Sequence, residues 1–309
     1  MKQSVRTIND FVYGVIDKKI EQMGRKQQEF KEDMLSRFLL ERERNPGCFD
    51  NKYLRDIILN FVIAGRDTTA GTLSWFLYVL SRNQRIQDKI ARDVRDATTG
   101  DDRDATGVHD FTTYLTEDAM NKMHYLHAAL SETLRLYPAV PIDVKYCFSD
   151  DTLPDGHAIR KGDMVNYQPY PMGRMTFLWG DDAEEFRPER WLDDSGVFVP
   201  ESPFKFTAFQ VNSASFHSCP WQCTVVLVLP LCLHRMRRVR DGLGRMLNGQ
   251  AGPRICLGKE FACRQMKIFS AVLLYFFRFE MWDENSTVGY RPMLTLKMDR
   301  PLYLRATYR

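Results

Sequence analysis

Apolar residues recur at helical spacing from Ile8 to about Glu43, with Phe11, Val12, Val15 and Ile16 among charged neighbours. Asn45-Pro46-Gly47 breaks that pattern. A longer helical pattern opens at Asn51 and runs to about Arg82. Another, Asn83 to about Thr98, interleaves acids and bases and reads as a helix with a solvated face. Gly100 to Asp110 is an acidic loop, and a further helix covers about Glu117 to Leu136. Tyr137-Pro138-Ala139-Val140-Pro141 ends it, because proline disfavours the α conformation in the residue before it. Short strand patterns follow, with turns at Leu153-Pro154-Asp155-Gly156-His157 and Lys161-Gly162-Asp163. Beyond Cys256 a helix extends to about Phe277, and Gly289 to Tyr308 alternates into a terminal hairpin. The expected fold is mainly α with small β-sheets.

Composition narrows the class without naming it. A chain of 309 residues can bury a large core, as one big domain or two smaller ones. Hydrophobic content of 44% beside 27% charged residues reads as globular and soluble. A net charge of +3 makes no field that argues for nucleic acid or an anionic membrane. Seven scattered cysteines, an odd number, form no disulfide framework and favour a reducing compartment. Met1 to Glu21 is charged and amphipathic, with no signal peptide or membrane span, and no internal repeat appears.

The chemistry concentrates in a motif split in two. Pro203-Phe204-Lys205-Phe206-Thr207-Ala208-Phe209-Gln210 resumes at Ala251-Gly252-Pro253-Arg254-Ile255-Cys256-Leu257-Gly258 once residues 211–250 are passed over. A cysteine in a turn at a helix N-terminus is suited to bind metal as thiolate, since the dipole and free N–H groups favour the anion. Gly252 and Gly258 let backbone lie close to a flat ring, Arg254 can pair with an acidic group, and Phe209 can pack beside the sulfur. Taken alone, Cys256 reads as a buried structural cysteine; the composite motif reads as a ligand. The segment from Val211 to Gln250 differs from its surroundings, with five arginines, no lysine, one acid (Asp241) and three cysteines. His217, Cys219, Cys223 and Cys232 match no usual zinc spacing. The apolar run Thr224 to Leu233 is too short for a bilayer, and Arg235 to Arg240 reads as a disordered basic loop before a nucleic-acid contact. Valine codons begin with GT and one glutamine codon is CAG, so we hypothesise a retained in-frame intron or gene-model error. Sequencing the transcript across the junction decides it, and uniform presence of the segment in mature message ends the idea.

Two more stretches carry information. Phe61 to Gly71 places Gly65 inside a strong helix, where it costs roughly 1 kcal/mol against Ala, next to Asp67-Thr68. A hydroxyl bonding back to the i−4 carbonyl beside a Gly can open a turn and admit water, although an ordinary buried helix tolerates the same residues. Glu132 and Arg135 stand at i, i+3 on one helix face.

Together these residues resemble the cytochrome P-450 family of haem-thiolate monooxygenases. Its Phe-x-x-Gly-x-Arg-x-Cys-x-Gly pattern is met when residues 211–250, a non-family insertion, are skipped. Its Ala-Gly-x-Asp-Thr-Thr pattern is met at Ala64 to Thr69, and its Pro-Glu-Arg-aromatic element at Pro188-Glu189-Arg190-Trp191. The resemblance implies the C-terminal portion of the cytochrome P-450 fold, a single incomplete domain over 1–309. It implies haem b held by Cys256 as axial ligand, with Arg254, Phe209, Gly252 and Gly258 around it. Thr68 would hydrogen-bond the oxygen on the iron, and Asp67 would feed protons. Glu132, Arg135 and Arg190 would be structural. Val140 to Asp143 and the tip Met293 to Leu296 would face substrate, with Lys145 a candidate for a haem propionate. Leu136 to Tyr146, Asp150 to Gly156, Gly173-Arg174-Met175 and Phe186 to Leu192 look most like plant fatty-acid hydroxylases. That implies ω-hydroxylation of long fatty acids with O2 and with electrons from NADPH, delivered by NADPH-cytochrome P-450 reductase near Lys259, Arg264 and Lys267. The family resides on the cytosolic face of the endoplasmic reticulum membrane through an N-terminal anchor that this chain lacks. No nucleic-acid partner is implied. The other reading is a truncated, haem-free remnant without catalysis, or an interaction protein.

Overall fold

The computed structural model describes residues 2–24, 33–45, 49–100, 105–153, 156–209 and 255–309. The 211–250 segment, Gln210, Gly252 and Arg254 lie outside the described residues. Contacts divide the chain into two compact units, Met1–Asp67 and Thr68–Arg309. Mainly α architecture with small sheets, as expected, is what the elements show.

The first unit contains α1 (Lys2–Gly24), α2 (Met34–Arg44) and the start of α3 (Asn51–Arg82). Val12, Ile16, Leu39 and Leu54 form its core. One helix was expected from Ile8 to Glu43; the structure instead starts α2 afresh at Met34. Asp33 supplies the reason: its carboxylate accepts from Ser36 N at 2.9 Å while Asp33 N donates to Ser36 Oγ at 2.8 Å. That reciprocal cap satisfies donors a continuing helix would not leave open.

In the second unit, residues 68–82 of α3 pack with α4 (Gln84–Thr98), α7 (His124–Leu136) and α10 (Lys259–Phe276). Phe76, Leu80, Ile90, Val94, Leu126 and Leu274 are buried among them. Short helices α5 (Val108–Tyr114), α6 (Glu117–Lys122), α8 (Pro169–Met172) and α9 (Thr176–Trp179) join these, with a 3-10 turn at Pro188–Trp191. The expected helix from Glu117 to Leu136 is broken at Met123. Asp93 on α4 accepts from Leu126 N at 2.9 Å, so a carboxylate from another helix caps the new start.

Strands pair in antiparallel twos: β1 (Asp143–Tyr146) with β4 (Met164–Tyr167), and β2 (Asp151–Thr152) with β3 (Ala158–Ile159). β5 (Phe277–Met281) pairs with β8 (Leu304–Tyr308), and β6 (Tyr290–Pro292) with β7 (Leu296–Met298). The terminal hairpin expected over Gly289 to Tyr308 is therefore only β6–β7, because β8 leaves to join β5. Fully buried Gln87 on α4 fixes β5: its amide donates to Phe279 O at 3.0 Å and accepts from Phe279 N at 2.7 Å. Among the described residues, no helix is long and apolar enough to cross a membrane.

His127 on α7 stacks flat on Phe198, with centroids 3.9 Å apart. Burial, then the charges of Lys267 and Lys259, push its pKa down to about 3. The native ring stays neutral while the unfolded ring takes a proton near its ordinary value, so this contribution is intact above pH 6.5 and erodes as pH falls towards 3. Lowering pH from 7 to 5 should cost about 2 kcal/mol from this group. Urea unfolding of wild type and His127→Gln at both pH values checks it; equal pH slopes would refute the assignment.

Candidate functional site

Glu132 and Arg135 lie one helical turn apart on α7, and both side chains are fully buried. Arg135 grips the carboxylate as a fork, Nε to Oε2 and Nη2 to Oε1, each at 2.8 Å. Arg190 adds Nε to Oε1 at 3.2 Å, Trp191 adds its indole N–H to Oε2 at 2.9 Å, and Arg187 N donates to Oε1 at 2.9 Å. One carboxylate thus faces two guanidiniums, and backbone carbonyls take the remaining donors. Arg135 reaches the carbonyls of Gly173, Ala183 (2.5 Å) and Glu185 (2.9 Å). Arg190 reaches the carbonyls of Trp179 (2.9 Å) and Asp182 (3.1 Å), with Asp182 Oδ1 at 3.2 Å. Arg190's hydrogen bond holds the Asp182 carboxyl below its usual range.

Gly173 shows how tightly this closes. A Cβ there would lie 2.1 Å from the Arg135 carbonyl oxygen, so no other residue fits. Gly173, Asp182, Arg187 and the Trp191 indole are members that the sequence reading missed. Gly173, Arg187 and Trp191 act through backbone groups or an indole N–H, and Asp182 through both its carbonyl and its carboxylate, none of which a spacing rule announces.

From this cluster, aromatic contacts lead to the cysteine. Trp191 meets Phe206 edge-on at 4.8 Å, and Phe206 meets Phe209 edge-on at 6.2 Å. Phe209 O accepts from Cys256 N at 2.7 Å, joining the two halves of the split motif. Cys256 is reduced and partly exposed, just ahead of α10 with Gly258 as its N-cap. Its Sγ lies 4.0 Å from where a Gly258 Cβ would stand, an ordinary van der Waals distance. Leu257 is 83% exposed and Phe261 64%, which leaves apolar surface next to the thiol. Cys263, one helix stretch on, differs: burial, then Glu260, push its thiol up to about 11, and it packs on the core.

The Phe61 to Gly71 stretch is helical throughout within α3. Asp67 closes the first unit and Thr68 opens the second, both partly exposed. Thr72 donates back to the Thr68 carbonyl at 2.9 Å, while the Thr69 hydroxyl is buried with no hydrogen-bond partner among the described residues. A hydroxyl in that state costs free energy unless something polar completes it. Further along α3, Trp75 donates its indole N–H to Leu296 O at 3.1 Å, and Leu296 N donates to Ala139 O at 3.0 Å. Thus β7 and the segment after α7 are laced onto the second-unit part of α3. Met293 and Leu294 at the hairpin tip are exposed, whereas Leu296 is buried. Lys145 and Tyr167 both bind buried Asp143, at 2.9 and 2.5 Å.

The structure draws Glu132, Arg135 and Arg190 into one cluster, and Phe209, Cys256 and Gly258 into one loop. Thr68 stays on α3, and Gly252 and Arg254 lie outside the described residues. Lys267 must be removed from the suggested docking face: it is buried, and its ammonium donates to Met120 O at 2.9 Å. Arg264 is exposed and paired with Glu117. No group of three or more metal-ligating side chains occurs among the described residues. The zinc alternative at His217, Cys219, Cys223 and Cys232 lies outside them.

Among the described residues, Cys256 thus stands partly exposed at the start of a helix, with a buried acid–guanidinium cluster bracing the segment that leads to Phe209. Comparison with known proteins gives the family. The cytochrome P-450 profile matches residues 1–212. Cytochrome P-450 704C1 of Pinus taeda is 44% identical over 97% of this chain and 51% of its own length. Cytochrome P-450 704B1 of Arabidopsis thaliana is 37% identical over 99% and 56%, and cytochrome P-450 86B1 of the same plant 36% over 96% and 46%. The chain belongs to the cytochrome P-450 family. It spans about half the length of these curated relatives.

Two substitutions test the brace. Glu132→Gln strands two buried guanidiniums and should cost about 3–5 kcal/mol. Gly173→Ala forces a Cβ into the Arg135 carbonyl and should cost about 1–3 kcal/mol despite the helical backbone at that position. Denaturant midpoints measure both, and wild-type values for either variant would contradict the packing described.

Proposed function

We propose that this chain is part of a haem-dependent monooxygenase that hydroxylates long-chain fatty acids at the ω end. It uses O2 and electrons from NADPH through NADPH-cytochrome P-450 reductase. The observation that carries the reading is the turn in which Cys256 N is held by Phe209 O at 2.7 Å and the partly exposed thiol stands just ahead of α10. The residues fit the group: a partly exposed thiol in the turn that opens a helix, with exposed apolar Leu257 alongside. When bound, haem b supplies the activation of O2 and the oxidising power for C–H hydroxylation, which a thiolate ligand promotes.

The chain's own residues take the other roles. Cys256 would hold the haem iron through its sulfur. Phe209 and Gly258 would flank the sulfur; Gly252 and Arg254, the latter for a propionate, would complete the set by family likeness. Thr68 would hold a proton at its hydroxyl, and Asp67 would relay protons to it. Glu132, Arg135 and Arg190 do no chemistry; they hold the segment that supports Phe209. The fatty-acyl substrate rests on likeness to plant members, as does a place on the cytosolic face of the endoplasmic reticulum membrane. Lys259 and exposed Arg264 remain for reductase contact. The family match ending at residue 212 supports treating 211–250 as a non-family insertion within one incomplete domain.

Carbon monoxide added to the reduced, haem-supplied protein tests this directly. A Soret band at the thiolate-ligated position, lost in Cys256→Ser, is the expected result. Absence of bound haem would overturn it and favour the haem-free reading.

A further inference from the structure

A run of oxidisable rings begins on α3. Trp75, 2% exposed, stands seven residues beyond Thr68, two helical turns on and on the same face, or about 10 Å along the axis. Its ring stacks on Tyr137 at 4.4 Å and 8°. Arg174 joins Tyr137 to the next ring, its guanidinium 5.5 Å from the Tyr137 centroid and 3.8 Å from that of Tyr170. Tyr170 lies 4.7 Å from Tyr290, the two rings tilted by 41°. Tyr290 is 47% exposed. All of these residues belong to the second unit.

We propose that Trp75, Tyr137, Tyr170 and Tyr290 form a path that carries an electron vacancy from the Thr68 end of α3 to the protein surface. Every ring in it is an indole or a phenol, the side chains that can give up one electron reversibly. The aromatic run from the Cys256 loop is different: Phe209 and Phe206 stand between it and Trp191, and phenyl rings cannot take the vacancy. The molecule therefore conducts on the α3 side and insulates on the cysteine side.

The step balances as follows. A strong one-electron oxidant removes an electron from Trp75, whose N–H stays on the Leu296 carbonyl. An electron from Tyr290 refills Trp75 by way of Tyr170 and Tyr137. Tyr290 releases its phenolic proton to bulk water and becomes a neutral phenoxyl radical. A soluble one-electron reductant of the thiol or ascorbate class returns the electron, and water returns the proton. The Arg174 charge makes a vacancy on Tyr137 or Tyr170 costly, so neither is a resting place and exposed Tyr290 is. The benefit rests on the proposed function, whose haem would be the oxidant when no substrate is present; the transfer itself does not.

The test needs no haem. Flash excitation of the full chain at the red edge of indole absorption, where phenols do not absorb, ejects electrons from tryptophans. Transient absorption then follows conversion of indolyl to phenoxyl radical, and a nitrone spin trap with peptide mass spectrometry locates the radical. In the wild type the conversion should be independent of protein concentration, with trap adduct on Tyr290. Tyr137→Phe, which keeps the stacked ring, and Trp75→Phe should each lower that adduct several-fold. Adduct on Tyr303, exposed and outside the run, should be unchanged. If Tyr137→Phe misfolds by thermal melting, Tyr170→Phe gives the same reading further along. Tyr290 adduct at wild-type yield in the folded variants overturns the path, whatever the carbon monoxide spectrum shows.

Discussion

The second unit depends on one buried carboxylate. Glu132 accepts from two guanidiniums, an indole and a backbone amide, and those guanidiniums then reach five carbonyls between Gly173 and Glu185. Much of that stretch has little regular structure, so its carbonyls need donors from elsewhere. Arg135 and Arg190 supply them. A buried ion cluster of this kind is poor evidence of net stability, since desolvation offsets most of the attraction. Its effect is geometric: an irregular segment acquires one arrangement, because any other would bury unpaired charge.

That arrangement is passed on by contact. Trp191 is held by Glu132 and packs against Phe206, which packs against Phe209, whose carbonyl holds Cys256 N. The thiol is thus positioned by residues distant in the chain and is itself partly exposed. Rigid support and an open face are what the proposed haem would ask of that sulfur.

Much of this was legible because it follows from local rules. The long α3, the Glu132–Arg135 spacing and the helix after Cys256 each rest on periodicity within a few turns. What was missed depends on partners far away. α2 starts at Met34 because Asp33 and Ser36 cap each other, and α7 starts anew because Asp93 of α4 reaches its first amides. β8 abandons the local hairpin because β5, steadied by Gln87, offers it a longer pairing. Lys267 looked like a surface cation beside Lys259 and Arg264, yet its position on α10 turns it inward to the Met120 carbonyl. A charge count along the chain cannot distinguish an inward lysine from an outward one.

The hydrogen bond between Phe209 O and Cys256 N bears on the foreign-looking stretch between them. Its two flanks meet in the folded protein, so whatever joins them behaves thermodynamically as a closed excursion. Against a direct link of a few residues, the present separation amounts to roughly three doublings of loop length at about 0.6 kcal/mol each. Splicing those forty codons in or out would therefore change the entropy of closing the ligand loop by only about 2 kcal/mol. A gene could gain or lose this segment and still bring the same phenylalanine to the same cysteine.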